Sequence, residues 1–280
     1  MGLVYENNRG TLSVDKKGAF CEVLDGVPEE RSISDTVDYI GDTVQDQYPS
    51  VSQNALNNCN GDWYEWLIAI EAWNLRVEAE ENLFGAFLLP KKDSYDVANL
   101  YEPKISELVS DLREKVREST DVELITSNPD FVIIDVSRFT DLPDWFDRPI
   151  DDIDEDTVSR LEEAYRLFDG RCELDDVRGY IGAKRSMRPD RRLQMPHEGS
   201  LMKAIYTHIQ TREWIIEPQG ISYYAVSADL NNSDREALRT VATHSITTVD
   251  KVPEAAVDDA FILDDQKETE EALSVMLSAS

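Results

Sequence analysis

The sequence predicts an α/β protein with a central mixed β-sheet flanked by helices. Two observations carry this expectation. Short β-rich runs alternate with segments whose apolar residues recur every three or four positions. The apolar share is 41% over 280 residues, enough to build a sizeable core and too much for a disordered acidic chain. No internal repeat, Walker A loop, glycine-rich dinucleotide loop or nucleophile elbow interrupts the alternation.

In order, Ser32–Tyr48 reads as a helix through Val37, Ile40, Val44 and Tyr48. Residues 53–61 are polar and turn-like. Asp62 then caps a long helix running to about residue 83. Phe84–Leu89, closed by Pro90, is a strand. Glu102–Arg117 is a helix with Pro103 in its first turn. Two β-rich pieces flank Asn128–Pro129–Asp130, and Asp130 heads the second. Residues 140–156 form a surface excursion anchored by Trp145 and Phe146. Thr157–Phe168 is an amphipathic helix, and Asp175–Lys184 ends in a strand carrying Lys184. Pro196–Trp214 is the clearest helix, with Leu201, Met202, Ile205 and Ile209 on its buried face. Ile221–Ala228 and Thr240–Thr248 read as strands, with a short helix between them capped by Ser233 and Glu236. The tail from Glu254 is acidic and helical.

Composition narrows the setting. Asp and Glu total 57 against 28 Lys and Arg, a formal net charge of −29, and only ten of the cations are lysine. Acid-rich, lysine-poor globular chains suit molar salt, where self-repulsion is screened within about 3 Å. A halophilic source is therefore expected. No long apolar run suggests a membrane span, and the N-terminus lacks a signal-peptide layout, so a cytoplasmic protein is expected. Cys21, Cys59 and Cys172 have neither zinc spacing nor an even count.

One segment opposes this charge balance. Lys184, Arg185, Arg188, Arg191 and Arg192 crowd into nine residues, with only Asp190 among them. Such an island points to phosphate or nucleic acid. Phosphodiester hydrolysis needs a hard divalent ion on carboxylate oxygens and a fixed positive charge at the phosphate. Asp130, Lys184 and Glu198 offer those parts. In any acidic chain this spacing is a weak signal, and an Asp after Pro is commonly a turn residue. Glu65, three residues after Asp62, fits a capping box or a metal-site carboxylate. Two arginines and an aspartate match guanine O6/N7 and cytosine N4 in the major groove, so Arg188, Asp190 and Arg191 suit two adjacent C·G pairs. They suit an internal salt bridge equally well.

The segments Asn58–Ile68, Leu124–Phe131, Arg188–Tyr206 and Thr240–Thr247 resemble, in the same order, the CCGG family of type II restriction endonucleases. These have the PD-(D/E)XK fold, and the resemblance is to the group that cuts R/CCGGY. It implies that Asp130 and Glu198 are metal ligands for Mg²⁺ and that Lys184 is the catalytic lysine. It also implies that Glu65 is an additional carboxylate linked to the metal site, and that Arg188, Asp190 and Arg191 read the CCGG core. The implied organisation is one endonuclease domain over 1–280: a helical N-terminal part (1–60), a catalytic and recognition core (61–214) and C-terminal strands and helices (215–280). The implied partner is double-stranded DNA with a CCGG core, engaged by a homodimer or by a tetramer of two dimers, with Trp214 a candidate interface anchor. A cognate DNA methyltransferase would act on the same site without binding the protein. One departure stands out: two residues before the lysine, close relatives carry serine, and here the position is Gly182, which removes a hydroxyl. Rival readings are a structure-directed repair or recombination nuclease, a CCGG-specific binder that does not cut, and a salt-adapted interaction protein.

Overall fold

The computed structural model describes residues 2–278 except 9, 25, 29–30, 80–83, 92–93, 121–122, 125–127 and 248–251. Among these, a five-stranded sheet runs in the order β3 (Gly85–Leu88), β4 (Phe131–Ile134), β5 (Val177–Lys184), β6 (Ser222–Ser227) and β7 (Asp259–Ile262). The first two pairings are antiparallel and the last two parallel, so the sheet is mixed as expected. Strands β3 and β4 are wholly buried and β5 nearly so, which is why they read as apolar runs without alternation. A separate hairpin of β1 (Val4–Glu6) and β2 (Leu12–Val14) precedes α1 (Lys16–Val23) and α2 (Ile33–Gln47). Ser32 caps α2 through its hydroxyl, and Val37, Ile40 and Val44 are buried as their spacing predicts.

The longest helix, α3 (Gln53–Glu78), differs from the sequence reading. It begins nine residues before Asp62 and is capped by Ser52, whose side chain accepts from Ala55 N. The Asn-rich start has weak helix propensity. Burial overrides it, because Leu56, Cys59 and Trp63 recur on one covered stripe that continues into the rest of the helix. Asp62 is thus not a cap. It pairs with Lys16 and, at 3.5 Å, with Lys91.

Helix α4 (Pro103–Thr120) starts at the proline as predicted. The excursion after β4 is anchored as expected: Trp145 stacks on Trp73 at 5.7 Å, and Phe146 packs against Trp73 and Phe87. Helix α5 (Glu155–Glu163) follows and tightens into a 3₁₀ turn, Ala164–Leu167. Helix α6 (Pro189–Arg212) starts seven residues before the predicted position, with Pro189 rather than Pro196 in its first turn. Pro196 sits inside the helix, where it lacks an N–H to donate.

The C-terminal part needs three corrections. Asn231 and Asp234, not Ser233 and Glu236, form the capping box of α7 (Asn232–Leu238). Within 240–247 there is no strand among the described residues. Val241 makes one isolated bridge to Ala255, and Thr243–Thr247 is 3₁₀. The fifth strand, β7, lies instead in the tail read as helical, followed by α8 (Gln266–Leu277). The first β-rich piece before Asn128 falls largely outside the described residues.

Candidate active site and DNA-facing cleft

The antiparallel pairing of β4 with β5 sets the centre of the site. Because the strands run in opposite directions, the residue entering β4 faces the residue leaving β5. Asp130 and Lys184 occupy those ends. The Lys184 ammonium donates to Asp130 Oδ1 at 2.9 Å and to Oδ2 at 2.6 Å, and Ala183 N donates to Oδ2 at 2.6 Å. Asp130 is therefore more than a turn residue.

Two helices add carboxylates. Glu65 reaches in from α3 and is half-buried. Burial first, then the neighbouring Asp130 charge, push its carboxyl up to about 8, against the opposing pull of Lys184. Burial disfavours the Lys184 ammonium, but Asp130, Glu65 and Glu198 together outweigh it and raise its pKa. Three carboxylates from three elements thus converge on one lysine. Glu198, in the third turn of α6 rather than at a helix start, is 5% exposed. Gln194 Nε2 donates to its Oε1 at 2.8 Å, and the Tyr223 hydroxyl donates to its Oε2 at 2.8 Å. Burial and the Glu198 charge keep the Tyr223 phenol protonated, far above its ordinary range.

The donor set fits a hard divalent ion. All three acids offer oxygen and they outnumber the nearby lysine; Asp130 Oδ2 already accepts twice, but Asp130 Oδ1 and both Glu198 oxygens each keep a lone pair beyond the bonds just named. No cluster of three or more His, Cys, Asp or Glu among the described residues encloses an ion on its own.

Asp130 and Glu65 stand on the wall of a cleft of about 930 Å³, which also holds Asn58, Lys184, Arg188 and Arg191. The basic island divides here. Arg185 pairs with Asp38 at 2.5 Å, and Arg192 pairs with the buried Asp234 at 2.6 Å. Both arginines, with Lys184, therefore have acidic partners within the chain, although Arg185 still lines the cleft and its partner Asp38 is exposed. Arg188 and Arg191 remain at the start of α6, flanking Asp190 at 3.8 and 3.5 Å. The internal salt bridge is thus present but long, and Asp190 is 66% exposed along its side chain. All three side chains stay available to an incoming ligand.

The restriction endonuclease family model Cfr10I/Bse634I matches residues 6–279 of the chain. The chain belongs to the Cfr10I/Bse634I restriction endonuclease family. It is 43% identical over 244 residues to the type II restriction enzyme Cfr10I of Citrobacter freundii, covering 86% of this chain and 85% of that one. The crystal structure of the type IIF restriction endonuclease Bse634I with cognate DNA superposes with a TM-score of 0.89. It is 28% identical and covers 98% of this chain and 97% of that one. A second Bse634I structure superposes with a TM-score of 0.85. The chain is therefore a type II site-specific deoxyribonuclease on the restriction-endonuclease fold.

Within this family fold, Asp130, Lys184, Glu65 and Glu198 come together, and Arg188, Asp190 and Arg191 share one helix start beside them. Sequence reasoning missed two residues. Gln194 lies four positions before Glu198, a helical spacing that brings side chains together and so was readable. Tyr223 comes from a different strand, and no spacing could have found it. No helix among the described residues is long and apolar enough to cross a membrane.

Proposed function

We propose that this endonuclease cuts both strands of DNA at a CCGG-core palindrome, R/CCGGY, with Mg²⁺, leaving four-base 5′ overhangs. The observation that carries this reading is the convergence of Asp130, Glu65 and Glu198 on Lys184, beside the two available arginines of α6. Asp130 and Glu198 would hold the ion. When bound, Mg²⁺ would polarise the scissile phosphate and acidify the attacking water. The water oxygen forms the new P–O bond while the bond to the 3′ oxygen breaks, giving a 5′-phosphate and a 3′-hydroxyl. Lys184 orients the water and stabilises the charge developing on phosphorus oxygens. Glu65 acts on the metal site through its neighbours. Arg188 and Arg191 pair with guanine O6 and N7, and Asp190 accepts from cytosine N4.

A palindrome calls for a two-fold dimer, one subunit per half-site. Two such dimers pair into a tetramer. Trp214 and Ile216, 86% and 92% exposed just past α6, are the apolar anchors this assembly would bury. The partner is duplex DNA. A methyltransferase protects the same site without touching the enzyme.

The test is a plasmid digest in Mg²⁺ across a salt series to molar KCl, with the ends sequenced. Discrete cuts at RCCGGY support the reading. Ragged ends favour a structure-directed nuclease, and metal-independent CCGG binding without cutting favours a binding-only protein. Lys184→Ala should abolish cleavage yet keep specific binding. Equal cleavage by that variant removes Lys184 from the mechanism.

A further inference from the structure

Glu198 is held by a residue outside the carboxylate–lysine set. Tyr223 is fully buried on β6, and its ring lies in a slot made by two glycines. A Cβ added at Gly182 of β5 would sit 2.5 Å from the Tyr223 hydroxyl oxygen. A Cβ at Gly199 of α6 would sit 2.9 Å from Tyr223 Cγ and 2.1 Å from the Ala256 carbonyl oxygen. Side chains at 182 and 184 project to the same face of β5. The phenol therefore enters the space beside Lys184 that a side chain at 182 would fill. Loss of a side chain at Gly182 does not strip the site of a hydroxyl. Tyr223 brings one there from the next strand.

The far end of the residue is fixed too. Tyr223 N donates to Asp258 Oδ2 at 2.7 Å, and Asp258 N donates back to Tyr223 O at 2.8 Å. Asp258 in turn pairs with the buried Lys203 at 2.7 Å. A phenylalanine would fill the same slot equally well, so packing does not explain the hydroxyl. Its hydrogen bond goes to Glu198 Oε2.

We propose that Tyr223 is a positioning residue for DNA cleavage: its hydroxyl, admitted by Gly182, fixes the Glu198 carboxylate so that the remaining lone pairs face the metal position. Gln194 holds the other oxygen, so the carboxylate can neither rotate nor swing away. The proposal rests on the reading of Glu198 as a metal carboxylate.

Tyr223→Phe tests it in the full chain. Two quantities are read: the Mg²⁺ concentration giving half-maximal cleavage, and the affinity for Mn²⁺ alone, followed by loss of the free-ion paramagnetic resonance signal. Both should weaken by about ten- to a hundredfold, with specific DNA binding in the absence of metal unchanged. Gly182→Ala should impair the wild type more than the Tyr223→Phe background, where the 2.5 Å clash with the hydroxyl is gone and the nearest ring atom is Cζ at 3.3 Å. Wild-type metal dependence in Tyr223→Phe, alongside its loss in Glu198→Gln, would overturn the proposal and leave Tyr223 as filler. Wild-type metal dependence in Glu198→Gln would instead overturn the metal-ligand reading of Glu198 itself, and the proposal with it.

Discussion

Glu65→Gln should stabilise the metal-free protein, and by an amount that depends on pH. Glutamine keeps the shape of the side chain and removes its charge. In the folded chain the Glu65 carboxyl titrates near 8 instead of near 4.5, because burial and Asp130 penalise the anion. The folded state therefore holds a proton that the unfolded chain releases between those two values. Since the unfolded state binds fewer protons there, wild-type stability falls as pH rises through that window. The full displacement corresponds to about 5 kcal/mol. The cleft admits water and counterions, which reduces the figure to about 2–3 kcal/mol. The variant should match the wild type near pH 4.5, gain steadily above it, and hold a constant advantage above about pH 8. Urea unfolding at pH 5, 6.5 and 8.5 without divalent ions measures the gap. Added Mg²⁺ should narrow it at high pH by favouring the ionised wild-type side chain. A gap that stays flat from pH 5 to 8.5 would refute the reasoning.

The remaining predictions separate structural cations from recognition cations. Arg192→Ala should cost about 2–3 kcal/mol in urea unfolding, because it strands the buried Asp234; a loss under about 0.5 kcal/mol would mean that water screens the pair. Arg191→Ala should leave stability unchanged and cost roughly 1–3 kcal/mol of discrimination at one C·G pair, read by cleavage of single-substituted sites; unaltered selectivity would end its reading role. Trp214→Ala should lower the assembly state in sedimentation without lowering helicity, since the ring is 86% exposed in the single chain. Specific binding should peak at higher salt than for less acidic relatives, and a steady decline from low salt would contradict that.

Much of the sheet was legible because its strands are buried on both faces and bounded by Pro or turns. Phe84–Leu89, the strand after Asp130 and the strand ending at Lys184 all lie within a residue or two of their predicted limits. Errors came where tertiary burial outvotes local preference. The Asn-rich first turns of α3 are helical because Leu56 and Cys59 have a core to enter, and no local pattern reports that core. The early start of α6 was hidden by two prolines, each a plausible first-turn residue; the arginines after Pro189 gave no apolar rhythm to choose between them. The last strand was misplaced because four residues, 259–262, are too few for periodicity to distinguish strand from helix.

The site was legible only as residue types, and the structure changes what those types mean. Five cations in nine residues suggested one basic surface, yet three of them are committed to acids that come from distant parts of the chain. In a chain of net charge −29, an arginine left unpaired against the surrounding acids is a costly vacancy for an ion partner, so partners are found inside first. On the proposed reading, base recognition falls to the pair at the start of α6, held beside an exposed aspartate. Two arginines supply little phosphate attraction against that net charge, and what they supply weakens with salt. Bidentate base contacts are short-ranged and lose less to screening. An acidic enzyme built this way would draw its affinity chiefly from reading its site, so discrimination should survive in salt that abolishes non-specific binding.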